Sequence, residues 1–165
     1  MSLLDQSTVD FLSRSPDQTR RLGTRLGAAL QAGDVICLQG DLGAGKTTFV
    51  QGVAQGWGSV DAASSPTFIL VNMYRGVNGK QLFHLDAYRL DSLWEAEELD
   101  LQSMQAQGPL LIEWPERMEK LIPRDHLWVK LEHVGQEERG MKFNSHGKRY
   151  DDLLQIVRRA SYGVD

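Results

Sequence analysis

A single cysteine, Cys37, leaves no internal disulfide to form. It lies inside the apolar run Val35-Ile36-Cys37-Leu38, so it is expected to be a small core residue rather than a nucleophile. No apolar run approaches the roughly 20 residues needed to span a bilayer. The opening residues, Met1-Ser2-Leu3-Leu4-Asp5, lack a basic segment followed by an apolar one, so no secretory signal is expected. These absences point to a cytoplasmic protein with no membrane contact. Excess positive charge is missing too. With 18 Lys and Arg against 22 Asp and Glu, the net charge is −4. Nucleic-acid backbones select basic faces, so no overall electrostatic grip on them is expected. The clusters at Lys142, Lys148, Arg149 and Arg158-Arg159 read as solvated faces.

What is present fits one globular domain spanning residues 1–165, 41% apolar and 24% charged. Residues 1–14 and 160–165 are expected to be loosely ordered tails. Ser15-Pro16-Asp17-Gln18 reads as a helix start, with Ser15 as N-cap, Pro16 in the first turn and Gln18 closing a capping box. Leu22, Leu26 and Leu30 share one face, and Gly33 is the expected stop. Val35–Leu38 reads as a buried strand and Thr47–Trp57 as a helix. Phe68–Tyr74 and Gln81–Leu85 form two strand-like runs joined by Gly76-Val77-Asn78-Gly79, a hairpin connection. Ser92–Leu99 carries Leu93, Ala96 and Leu99 at helical spacing. Leu110-Leu111-Ile112 is a second buried strand. Strands at Leu127–Val134 and Met141–Asn144 precede a terminal helix at Tyr150–Arg159. The fold class is α/β, with a mixed parallel and antiparallel sheet flanked by helices, like that of P-loop NTPases.

Between the first buried strand and its helix stands Gly40-Asp41-Leu42-Gly43-Ala44-Gly45-Lys46-Thr47-Thr48. Gly40, Gly45, Lys46 and Thr47 meet the pattern G-x-x-x-x-G-K-[ST]. Glycines let the backbone turn tightly enough for successive N–H groups to cup an anion, and the next helix aims its positive end there. Lys46 can reach β- and γ-phosphates, and the Thr47 hydroxyl can ligate Mg²⁺. The loop therefore predicts ATP or a related nucleotide with magnesium. Such a site also wants a carboxylate at a neighbouring strand end. Glu113 follows an apolar strand and is either that metal ligand or a solvated strand-end acid. Asp86, after Phe83-His84-Leu85, is either a general base that orients water or a helix cap. Thr67, in the turn-forming Ser64-Ser65-Pro66-Thr67, either reaches the metal or γ-phosphate or belongs to an ordinary turn. His84, Tyr88 and Trp114 read first as packing or capping residues.

The Asn-Lys-x-Asp and Asp-x-x-Gly motifs of Ras-like GTPases are missing, as is the Leu-Ser-Gly-Gly-Gln of transporter ATPases. A small-molecule kinase stays open, with Arg89, Arg117, Arg124 and Arg139 as candidate lid cations. So does a non-catalytic module gated by nucleotide.

Four motifs in register, Gly40–Phe49, Ser64–Phe68, Phe83–Leu90 and Leu110–Arg117, resemble the TsaE family (older name YjeE). These are bacterial ATPases of tRNA threonylcarbamoyladenosine synthesis. The resemblance runs from about Ser15 to the Glu113 strand. It implies a P-loop ATPase that works with a TsaB–TsaD heterodimer and meets tRNA indirectly, through that complex. It further implies that Gly40, Asp41, Leu42, Gly43, Ala44, Gly45, Lys46, Thr47 and Thr48 hold the nucleotide, with Trp114 beside it. Thr47 and Glu113 would hold Mg²⁺. Asp86, Lys46 and Thr67 would be catalytic, Thr67 in a switch-like loop. The Ser15–Thr19 region would lie near the adenine.

Overall fold

The structure, a computed structural model, describes residues 6–63, 71–90 and 92–161. Its centre is a seven-stranded sheet in the order β1-β7-β6-β2-β5-β4-β3. The strands are β1 (Thr8–Ser13), β2 (Val35–Gln39), β3 (Val71–Arg75), β4 (Gln81–Asp86), β5 (Leu110–Glu113), β6 (His126–His133) and β7 (Arg139–His146). The four central strands, β6, β2, β5 and β4, run parallel, whereas β3, β7 and β1 are antiparallel to their neighbours. The sheet is mixed for a local reason. The β3–β4 hairpin closes through Gly76 N–H to Lys80 O, with Asn78 and Gly79 at positive φ. Thr67 and the rest of Ser64–Thr67, together with the start of the expected Phe68 strand, lie outside the described residues.

Alternation on β2 sends Ile36 and Leu38 to one face and Val35 and Cys37 to the other. The first face packs under helices α1 (Pro16–Gly27), α2 (Lys46–Trp57) and α5 (Lys148–Ser161). The second is covered by α3 (Leu93–Glu97), α4 (Leu101–Gln107) and a 3₁₀ segment, Pro115–Leu121. Cys37 is buried, and desolvation, reinforced by nearby Glu116, drives its thiol far above the usual range. It is an inert core residue.

The Ser15 cap forms as the sequence implies. Its hydroxyl accepts from Gln18 N–H at 3.2 Å, while the Gln18 amide oxygen accepts from Arg14 N–H, one residue before the cap. The helix ends at Gly27, however, six residues short of Gly33. Gly33 instead sits at φ 98 in the turn into β2. Asp34 holds that turn by accepting from Gln31 N–H at 2.8 Å. Helices α1 and α2 cross with their backbones in contact. A Cβ on Gly27 would stand 2.0 Å from Val53 O, one on Gly52 2.1 Å from Arg20 O, and one on Gly56 2.0 Å from Thr24 O. That close crossing fixes where α2 begins, and with it the glycine-rich loop.

Three expectations are corrected. Residues before Ser15 include an edge strand, β1, which extends the sheet through β7 because Val9 is buried and Phe11 packs beside it. Residues up to Ser161 belong to α5, whose apolar face of Tyr150, Leu153, Leu154 and Val157 is buried. Each such side chain stabilises by roughly 1.5–3 kcal/mol, enough to hold the helix end in place. Arg149 is no solvated cation: its guanidinium donates to both Asp34 oxygens at 2.9 and 2.8 Å and to Ala29 O at 2.7 Å. Arg158 likewise reaches Thr8 O.

Candidate nucleotide site

The site forms where β2, β4 and β5 end on one edge of the sheet. Register decides its composition, because Leu38 is paired with Glu113 and Glu113 with Asp86. Both acids thus emerge beside the loop that leaves β2. In that loop Gly43 and Gly45 adopt φ of 82 and 99, left-handed values that L side chains rarely take. Gly45 caps α2 with no side-chain bond, and the first turn of α2 carries no acid. With no side-chain cap, the helix aims its positive N-terminal end into the site, the arrangement that receives an anion.

A cavity of about 510 Å³ opens there. Leu42, Gly43, Gly45, Lys46, Thr47 and Thr48 line it from the loop, and Asp86, Glu113 and Trp114 from the neighbouring strands. Tyr88, Arg89 and Arg139 complete its wall. Gly40, Asp41 and Ala44 line instead an adjoining hollow of about 490 Å³, which shares Trp114. Of the four arginines considered for a lid, Arg89 and Arg139 reach the cavity. Arg139 donates from Nη2 to Gly43 O at 3.4 Å and lies with its Cγ 3.6 Å from where a Cβ on Gly45 would be. Its Nε is buried and has no hydrogen-bond partner among the described residues. Arg117 packs over Tyr88, and Arg124 is exposed.

Lys46 is buried, donates to Gly40 O at 2.5 Å and rests 3.9 Å from the Trp114 ring centroid. Burial lowers its pKa, and Glu113, Asp86, Glu116 and Asp41 oppose that shift. Asp86 is pushed up, first by burial and then by Glu113. The Tyr88 N–H that donates to it at 2.9 Å, His84 and Lys46 work against the shift. Asp86 is thus both a turn-capping acid and a cavity acid. Trp114 holds φ 57, a costly backbone for a bulky residue, and packs in a tilted contact with Tyr88, ring centroids 4.8 Å apart.

From the sequence, His84 is expected only to pack or cap, and Tyr74 only to lie in a strand. His84 is fully buried, and its Nε2 meets Glu113 Oε2 at 2.6 Å while Nδ1 meets the Tyr74 hydroxyl at 2.8 Å. The signal was the two-residue spacing of His84 and Asp86, which puts both on one face beside β5.

The donor set suits Mg²⁺. Thr47, Glu113 and Asp86 offer hard oxygens around one cavity. Among the described residues, no cluster of three or more His, Cys, Asp or Glu could hold a metal alone. A cation here would depend on phosphate oxygens and water as well, as Mg²⁺ characteristically does.

Fold and loop together define an α/β protein of the P-loop NTPase-like architecture. Residues 13–141 match the family model described as "Threonylcarbamoyl adenosine biosynthesis protein TsaE". The chain belongs to the TsaE family. It is 37% identical to a Bacillus subtilis protein named tRNA threonylcarbamoyladenosine biosynthesis protein TsaE, covering 88% of this chain and 90% of that one. A protein of the same name from Nostoc sp. is 41% identical, over 92% and 97% of the two chains. The crystal structure of Bacillus subtilis YdiB superposes with a TM-score of 0.74 at 32% identity, covering 93% of this chain and 96% of that one.

Proposed function

We propose that this chain binds Mg-ATP in the 510 Å³ cavity and hydrolyses it slowly, as a cytoplasmic subunit acting with TsaB–TsaD to form N6-threonylcarbamoyladenosine beside the tRNA anticodon. The family supports the pathway. One observation carries the ATP reading. The strand register brings Glu113 and Asp86 to the mouth of a helix that has no side-chain cap and whose first residue is Lys46.

In this reading the amides of residues 42–47 hold the phosphates, and Lys46 leaves Gly40 O to meet the β- and γ-oxygens. Thr47 and Glu113 hold Mg²⁺, which when bound neutralises charge building on the phosphates. Asp86 accepts a proton from, and orients, the attacking water; its raised pKa makes it a stronger base than an ordinary carboxylate. Thr67 is assigned to the loop that senses the γ-phosphate. The net charge of −4 suits a protein that meets tRNA through partners rather than directly.

A pull-down with TsaB–TsaD, with and without ATP, tests this together with product analysis. Capture, faster hydrolysis in the complex, and only ADP and phosphate as products are expected. Neither capture nor stimulation would contradict it, and a phosphorylated metabolite would point to a kinase.

A further inference from the structure

Glu113 is almost wholly withdrawn from water, and one of its oxygens is already occupied. His84 Nε2 stands 2.6 Å from Oε2, and the Tyr74 hydroxyl 2.8 Å from Nδ1. A carboxylate oxygen only accepts, so the imidazole proton belongs on Nε2. In the neutral ring Nδ1 is then an acceptor, and Tyr74 donates to it. All three groups are buried and come from three adjacent strands, β3, β4 and β5. The run is therefore anchored in the sheet rather than in a loop.

We propose that His84 is a positioning residue for Glu113, held as the Nε2–H tautomer by Tyr74, and that it leaves Oε1 as the oxygen offered to the metal. The inference rests on the Mg-ATP reading above. A carboxylate with both oxygens free can rotate or bind a cation through two oxygens. Tying Oε2 to a buried N–H removes that freedom. Mg²⁺ requires near-octahedral geometry and is poorly served by a ligand that shifts. Losing an orienting partner behind a metal ligand typically costs roughly 10- to 100-fold in metal affinity.

The test compares His84→Leu, His84→Gln and Tyr74→Phe with the natural chain. ATP binding is measured by calorimetry in EDTA and across a Mg²⁺ titration, and melting is recorded without ligand. His84→Leu is expected to bind ATP in EDTA as before but to need roughly 10- to 100-fold more Mg²⁺ for half-saturation. His84→Gln keeps an N–H donor toward Glu113 and should recover most of that loss. Nitrogen NMR of the ligand-free natural chain should show His84 protonated on Nε2 alone, a preference that Tyr74→Phe weakens. Should His84→Leu fail to fold, the Gln variant and the NMR tautomer decide. The inference falls if binding weakens equally with and without Mg²⁺, or if His84 carries its proton on Nδ1. A natural chain whose ATP binding ignores Mg²⁺ overturns the functional reading as well. A Mg²⁺ requirement that His84→Leu leaves unmoved overturns this inference alone.

Discussion

The ammonium of Lys46 lies on the indole of Trp114, 3.9 Å from the ring centroid, while it donates to Gly40 O. This is a holding position. A cation–π contact is worth about 0.5–2 kcal/mol, less than a phosphate can offer the same amine. Nucleotide should therefore draw Lys46 off the ring. Tryptophan emission should shift on adding Mg-ATP, and Trp114→Phe should abolish that shift although three other tryptophans remain. An undiminished shift in the variant would contradict the exchange.

Asp86 should set a trade between activity and stability. Burial raises its carboxyl, so the folded chain holds that proton to higher pH than the unfolded chain does. Between the two values the folded state binds more protons, and this group's effect on stability worsens as pH rises through its folded pKa. Asp86→Asn should then melt higher than the natural chain at pH 7. The difference should vanish below about pH 3.9, the ordinary Asp value. Hydrolysis should fall by at least about 100-fold. Melting curves over pH, read beside single-turnover rates, check both.

Much of this arrangement is legible in the sequence because it is local. The strand, the loop and the Ser15 cap depend on residues a few positions apart. Glu113 and Asp86 are readable as strand-end acids because one follows Leu110-Leu111-Ile112 and the other Phe83-His84-Leu85. What escapes is long-range. β1 sends only Val9 and Phe11 onto the core and leaves Leu12 exposed, so its pairing with β7 is what marks it as a strand. The Glu113–His84–Tyr74 run depends on the order of three strands, which no local pattern encodes. Gly23, Gly27, Gly52 and Gly56 read singly as weak helix residues, and only the crossing of α1 and α2 gives them a purpose.

That crossing makes its own prediction. A methyl on Gly27 would press on the Val53 carbonyl, a backbone group rather than the end of a flexible side chain. Gly27→Ala should cost about 3 kcal/mol, the upper end for overpacking, despite alanine's better helix propensity. For a chain of this size that is a fall of roughly 6–12 °C in Tm. Gly33→Ala has open space around it and should show only the smaller penalty of its positive φ.

The Arg149–Asp34 clamp ties α5 to the turn before β2. Asp34 is buried, so Arg149→Met would leave a carboxylate stranded from water. Breaking a buried pair costs about 3–5 kcal/mol, and Arg149 is one-third exposed, which brings the expectation down to about 2 kcal/mol. The double variant Arg149→Met with Asp34→Asn should recover part of it. Urea unfolding of the single and double variants measures the coupling.

The cradle for nucleotide is the claim on which the remaining assignments depend, and isothermal calorimetry reads it directly. Mg-ATP titrated into the folded natural chain should give saturable heat at one site, and Lys46→Ala should give none. Flat titrations with the natural chain, at a temperature where it is demonstrably folded, would contradict the account.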